Sequence, residues 1–75
     1  MTADDFESTM RRFLRQEPFQ PFVVELLDGR VIWITRPGLA LGGGGASFFT
    51  PEYDFIEIAC GDVRTIRQAV QGAAS

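Results

Sequence analysis

The chain has no histidine, no lysine and a single cysteine, and each absence closes off chemistry. Without histidine there is no Ser-His-Asp or Cys-His relay and no imidazole for a metal. With Cys60 alone there is no internal disulfide and no thiolate cluster. No catalytic constellation remains, so the expectation is a protein that is not an enzyme and holds no cofactor or metal. Long apolar runs are also missing. None approaches the ~20 residues of a membrane-spanning helix, and the first residues are acidic. Neither a membrane span nor a signal peptide is read, and a cytoplasmic location is expected. The net charge of −3 disfavours nucleic acid and anionic lipid as partners of the whole chain, although all seven cations are arginine.

What is present is an apolar fraction of 45% with seven phenylalanines in 75 residues, enough for one small folded domain. That domain is expected over residues 1–70, with residues 71–75 as a frayed tail. Its organising stretch is PFQPFVVELLDGRVIWIT, Pro18 to Thr35. Asp28-Gly29 reads as a two-residue type I′ turn between two strands. That turn sets Leu26 against Val31, Val24 against Trp33 and Phe22 against Thr35. One face then carries Phe22, Val24, Leu26, Val31 and Trp33, so Trp33 is expected in the core with Ile56 and Ile58. The other face carries Val23, Glu25, Leu27, Arg30, Ile32 and Ile34, with Glu25 and Arg30 close enough for a surface ion pair.

Before the hairpin comes a helix, expected over residues 3–16. Thr2 is its cap, with Asp5 three residues on. Phe6, Met10, Phe13 and Leu14 fall on one stripe, acids gather at the start, and Arg11, Arg12 and Arg15 at the end. Pro18 stops it. Two prolines stiffen the connector that Phe19 and Phe22 anchor.

After the hairpin, Arg36-Pro37-Gly38 bends or breaks the second strand, which resumes briefly at Leu39-Ala40-Leu41. Gly42 to Gly45 read as a flexible inter-strand loop, dispensable for folding; a phosphate-binding loop would need a following lysine and helix. Short strands are expected at Ala46–Thr50, Phe55–Cys60 and Val63–Gln68, joined by Pro51–Asp54 and by Gly61-Asp62. Glu52 and Asp54 read as a solvated turn, and Cys60 as an inert hydrophobe alternating with Ile56 and Ile58.

One helix and about five short, strongly bent antiparallel strands, apolar on both faces, suit a mainly β, α+β fold: a small barrel of the SH3/Sm-like kind, capped by the helix. Two resemblances enter here. The spacing Pro18-Phe19-x-Pro21-Phe22-x-Val24-x-Leu26-x-Asp28-Gly29-Arg30, between a short helix and an I-x-I strand, resembles a family of short uncharacterised bacterial proteins, which implies no known activity. The order of elements resembles the Sm-like fold of RNA chaperones, which implies ring assembly and RNA binding. The Cys60-Gly61-Asp62 junction lacks the Lys-His or Arg-Gly pair that RNA-binding members carry.

The functional expectation is a non-catalytic interaction or assembly module that self-associates, a dimer first and a ring second. Val23, Leu27, Ile32 and Ile34 are the candidate interface. The alternative is an Sm-like nucleic-acid binder in which Arg11, Arg12, Arg15, Arg64 and Arg67 gather into one patch.

Overall fold

Thr2 opens the helix as its capping pattern requires: its Oγ1 accepts the Asp5 N–H at 3.1 Å. A computed structural model of the chain describes residues 1–50 and 52–69, so the expected tail lies outside the described residues. Helix α1 spans Ala3–Leu14, two residues shorter than expected. It closes early because the Gln16 side chain donates to the Phe13 carbonyl at 2.8 Å and to the Gln20 carbonyl at 3.1 Å. That clamp turns the chain into the connector instead of continuing the helical ladder. Phe13 stacks on Phe22 at 4.9 Å, and Phe19 meets the same ring edge-on at 6.1 Å, so the connector is anchored as its aromatics suggest.

Six strands follow: β1 Phe22–Leu26, β2 Val31–Ile34, β3 Ala40–Gly42, β4 Gly45–Phe49, β5 Phe55–Ala59 and β6 Val63–Gln68, with a 3-10 turn at Cys60–Asp62. They form two antiparallel sheets, β2-β1-β6 and β3-β4-β5. The fold is α+β, and the expected closed barrel is not found: among the described residues no strand pairing joins the two sheets. Pro37 has no N–H to extend the β2 ladder, and Leu39 N–H turns back to the Pro37 carbonyl at 3.1 Å. At the other junction the 3-10 turn separates β5 from β6.

The hairpin exists where Asp28-Gly29 places it, with a different register. Leu26 N–H donates to the Arg30 carbonyl at 2.8 Å and Gly29 N–H to the Leu26 carbonyl at 3.1 Å, with Gly29 at φ +95°. The loop therefore holds three residues, Leu27, Asp28 and Gly29, the last in the left-handed region. Phe22 pairs with Ile34, Val23 with Trp33, Val24 with Ile32 and Glu25 with Val31. A slip of one residue turns every β2 side chain over. Ile34 is buried and Ile32 packs against the core, while Trp33 is 51% and Val31 40% exposed. The placement of Trp33 in the core is thus overturned by one extra loop residue.

One apolar cluster holds both sheets and the helix together: Phe6 and Met10 from α1; Phe22, Val24, Leu26, Ile34, Val63 and Ile66 from the first sheet; Ala46 and Ile58 from the second. Each fully buried large side chain contributes about 1.5–3 kcal/mol. Val63 and Ile66 are three apart yet both buried. A bulge opposite Glu25 and Leu26 makes Arg64 the extra residue and returns Val63 to the core side. Cys60 is half-buried against the cluster, as a small hydrophobe.

The glycine stretch is not a flexible loop. Gly42 and Gly45 pair as strand residues, and Gly43 and Gly44, at φ +61° and +77°, form a tight two-residue turn. Gly44 is buried. Its N–H donates to Glu7 Oε2 at 2.7 Å, and its carbonyl accepts the Cys60 N–H at 2.8 Å. A Cβ there would lie 3.1 Å from the Ala3 Cβ, so this turn is where the helix start docks.

Candidate functional site

The register of β2 and the pairing of β4 with β5 bring aromatic rings to the surface in one region. Phe49 lies opposite Phe55, with ring centroids 5.1 Å apart, and the two are 64% and 53% exposed. Trp33 stands on the face of β2 turned away from the core. All three line a groove of about 660 Å³ where the ends of the two sheets part, with Leu39 and Phe48 contributing apolar lining and Thr35, Arg36, Ser47 and Thr50 polar lining. Arg36 is the one charged residue of that lining, and no ion pair among the described residues engages it. Half-exposed aromatic rings around one concavity present wide, rigid, apolar contact area at small entropic cost.

The expected interface residues do not form one exposed strip. Val23 and Ile34 are buried, on opposite faces of the sheet. Ile32 is half-buried against the core, and only Leu27 is well exposed, at 57%. The register change is the cause for Ile32 and Ile34, while Val23 keeps the face its alternation with Phe22 and Val24 gives it. Glu25 also finds a different partner: it pairs with Arg67 at 3.8 Å, and Arg30 with Asp28 at 2.9 Å.

The five candidate arginines divide between two elements. Arg11, Arg12 and Arg15 lie on α1 or its cap, and Arg64 and Arg67 on β6. Arg11 pairs with Glu7 at 3.2 Å, Arg67 with Glu25, and Arg12 lies 5.7 Å from the centre of the Phe13 ring. Arg64 donates to the Leu27 carbonyl at 3.5 Å.

Asp28 has its carboxyl held below the usual aspartate range, chiefly because the Arg30 N–H donates to it at 3.0 Å, with the Arg30 Nε at 2.9 Å adding to the effect. A second, shallower hollow of about 720 Å³ lies over the glycine turn, beside Glu57 and Asp62. It does not suit an anion, because two carboxylates border it and Gly44 N–H is already given to Glu7. Among the described residues no three His, Cys, Asp or Glu side chains gather to hold a metal, and no helix is long and apolar enough to cross a membrane.

Sequence reasoning missed this groove. A two-residue turn puts Trp33 in the core, and Phe49 and Phe55 sit at strand ends where alternation alone does not say which face is free. Their opposition across a short turn is the signal that could have pointed to them. No family model, curated protein or solved structure matches the chain.

Proposed function

We propose that the chain is a non-catalytic interaction module whose working surface is the groove bordered by Trp33, Phe49 and Phe55. The observation that carries this reading is the exposure of all three rings at one concavity, where solvent contact gains the fold nothing. The occupant is an extended apolar or proline-rich segment of a protein. Aromatic-lined grooves take such segments because their backbone is already extended and loses little entropy on binding.

A single-stranded nucleic acid would use the same rings as stacking platforms. The net charge of −3 and a lining with Arg36 as its only cation favour the peptide. In this reading the two small antiparallel sheets are the scaffold, without ring or RNA chemistry attached to them.

Trp33 is the chain's only tryptophan and reports on the groove directly. Selection from a displayed library of random peptides, followed by titration of Trp33 emission, should yield aromatic- or proline-containing binders. Those binders should fail against Phe49→Ser, a variant that leaves the core intact. Binders that ignore Phe49→Ser would overturn the reading. So would a Trp33 response to oligouridine with steep salt dependence and none to peptides.

A further inference from the structure

The two sheets have four open edges, and three of them are guarded. Edge strand β6 carries Arg64 and Arg67 and is bulged, β5 carries Glu57 at its centre, and β3 is three residues long and ends in the glycine turn. Strand β2, Val31-Ile32-Trp33-Ile34, has no charge, no proline and no bulge. Natural proteins block edges of that kind unless the edge pairs with something.

Its hydrogen-bonding pattern says which groups are free. The Leu26–Arg30 bond sets the alternation of the ladder, so Val24 with Ile32 and Phe22 with Ile34 exchange bonds within the sheet. The N–H and C=O of Val31 and Trp33 therefore point outward, and no hydrogen bond among the described residues reaches them. Their side chains are the half-exposed ones.

We propose that two copies of this chain pair β2 against β2, antiparallel, about a two-fold axis at Ile32. The pairing goes beyond the groove reading and uses a different feature, the backbone edge. In this register Val31 of each copy exchanges both backbone bonds with Trp33 of the other. The β-branched side chain then lies directly against the indole, a favoured cross-strand pair. Ile32 meets Ile32 on the core side.

The edge is self-complementary, which supports the second copy as occupant. Val31 and Trp33, the two residues with free outward N–H and C=O groups, are spaced so that each meets the other about the two-fold axis, and their half-exposed side chains are the ones that pairing covers. The product is one continuous sheet, β6-β1-β2-β2-β1-β6, with its outer edges guarded by Arg64 and Arg67, which is a closed, symmetric assembly.

Light scattering on the eluting wild-type protein should give a mass moving from 8.3 kDa toward twice that value as concentration rises into the millimolar range. Amide exchange of Val31 and Trp33 should slow in step with the dimer fraction. Val31→Arg guards the edge with a charge on an already exposed side chain, away from the groove. It should leave circular dichroism unchanged and hold the mass at 8.3 kDa. Phe49→Ser should dimerise like the wild type. A wild type that stays at 8.3 kDa, a Val31→Arg variant that still dimerises, or Val31 and Trp33 amides indifferent to concentration would each overturn the pairing, with the groove reading untouched.

Discussion

Two glycine-containing turns divide the work of this fold in opposite ways. Asp28-Gly29 has the composition of the tightest hairpin turn and belongs to a three-residue loop that stands in solvent. The Gly42–Gly45 stretch has the composition of a flexible linker and contains the tight two-residue turn, packed against the start of α1. Composition locates a turn in both cases. Loop length, which fixes register, is decided by what the flanking side chains can bury. The extra residue in the first loop turns Ile32 and Ile34 toward the core and Trp33 out, while Phe22, Val24 and Leu26 stay buried.

Breaking the second turn should cost most. Deleting Gly43 and Gly44 removes the φ > 0 pair, the Glu7–Gly44 bond and the Cys60–Gly44 bond together. The expected outcome is loss of the cooperative urea transition, the reverse of what a dispensable loop would give. Next comes the register of the first hairpin. Ile34→Ala should cost roughly 2–5 kcal/mol, as truncations in packed cores do, whereas Trp33→Ala should change stability by only about 0.5 kcal/mol in the monomer. Chemical denaturation of both variants at low concentration makes that comparison.

A smaller effect separates Gly29 from its counterpart in the second sheet. Thr50 N–H donates to the Asp54 carbonyl and Tyr53 N–H to the Thr50 carbonyl, the same pair of bonds that closes the first hairpin. Here Tyr53, at φ +68° and almost fully exposed, sits in the left-handed region. Tyr53→Gly should stabilise by about 1 kcal/mol and Gly29→Ala destabilise by about 1–2 kcal/mol, opposite signs in equivalent positions. Thermal melts of the two variants show whether the turns are alike.

The smallest effect is electrostatic. The Asp28 carboxyl is held below its ordinary 3.8 by its bonds from Arg30, so its contribution to stability is present above that value. It is lost as pH falls through the lowered folded value. Asp28→Asn should flatten this slight acid dependence of the urea midpoint without changing the midpoint's rank among the other variants.

The helix, its Thr2 cap, the buried Phe6 and Met10, and the extent of β6 were legible because short-range patterns fix them. Strand β3 was legible only as a brief resumption of the second strand at Leu39-Ala40-Leu41, since Gly42 and Gly45 carry no side chain to show alternation and so hide its hairpin with β4. The groove was least legible. It needs Trp33 turned outward, which depends on one loop residue, and it needs the end of β2 set beside β4 and β5, which no local pattern encodes.

The register of β1 against β2 underlies the core, the exposed indole and the free edge alike, and cross-strand Hα–Hα nuclear Overhauser effects read it directly. Residues opposed without mutual hydrogen bonds bring their Cα atoms to about 4.5 Å, close enough for strong effects. The account predicts Hα–Hα effects between Val23 and Trp33 and between Glu25 and Val31. Effects between Val24 and Trp33 and between Leu26 and Val31 instead would restore the two-residue turn, return Trp33 to the core and contradict the account.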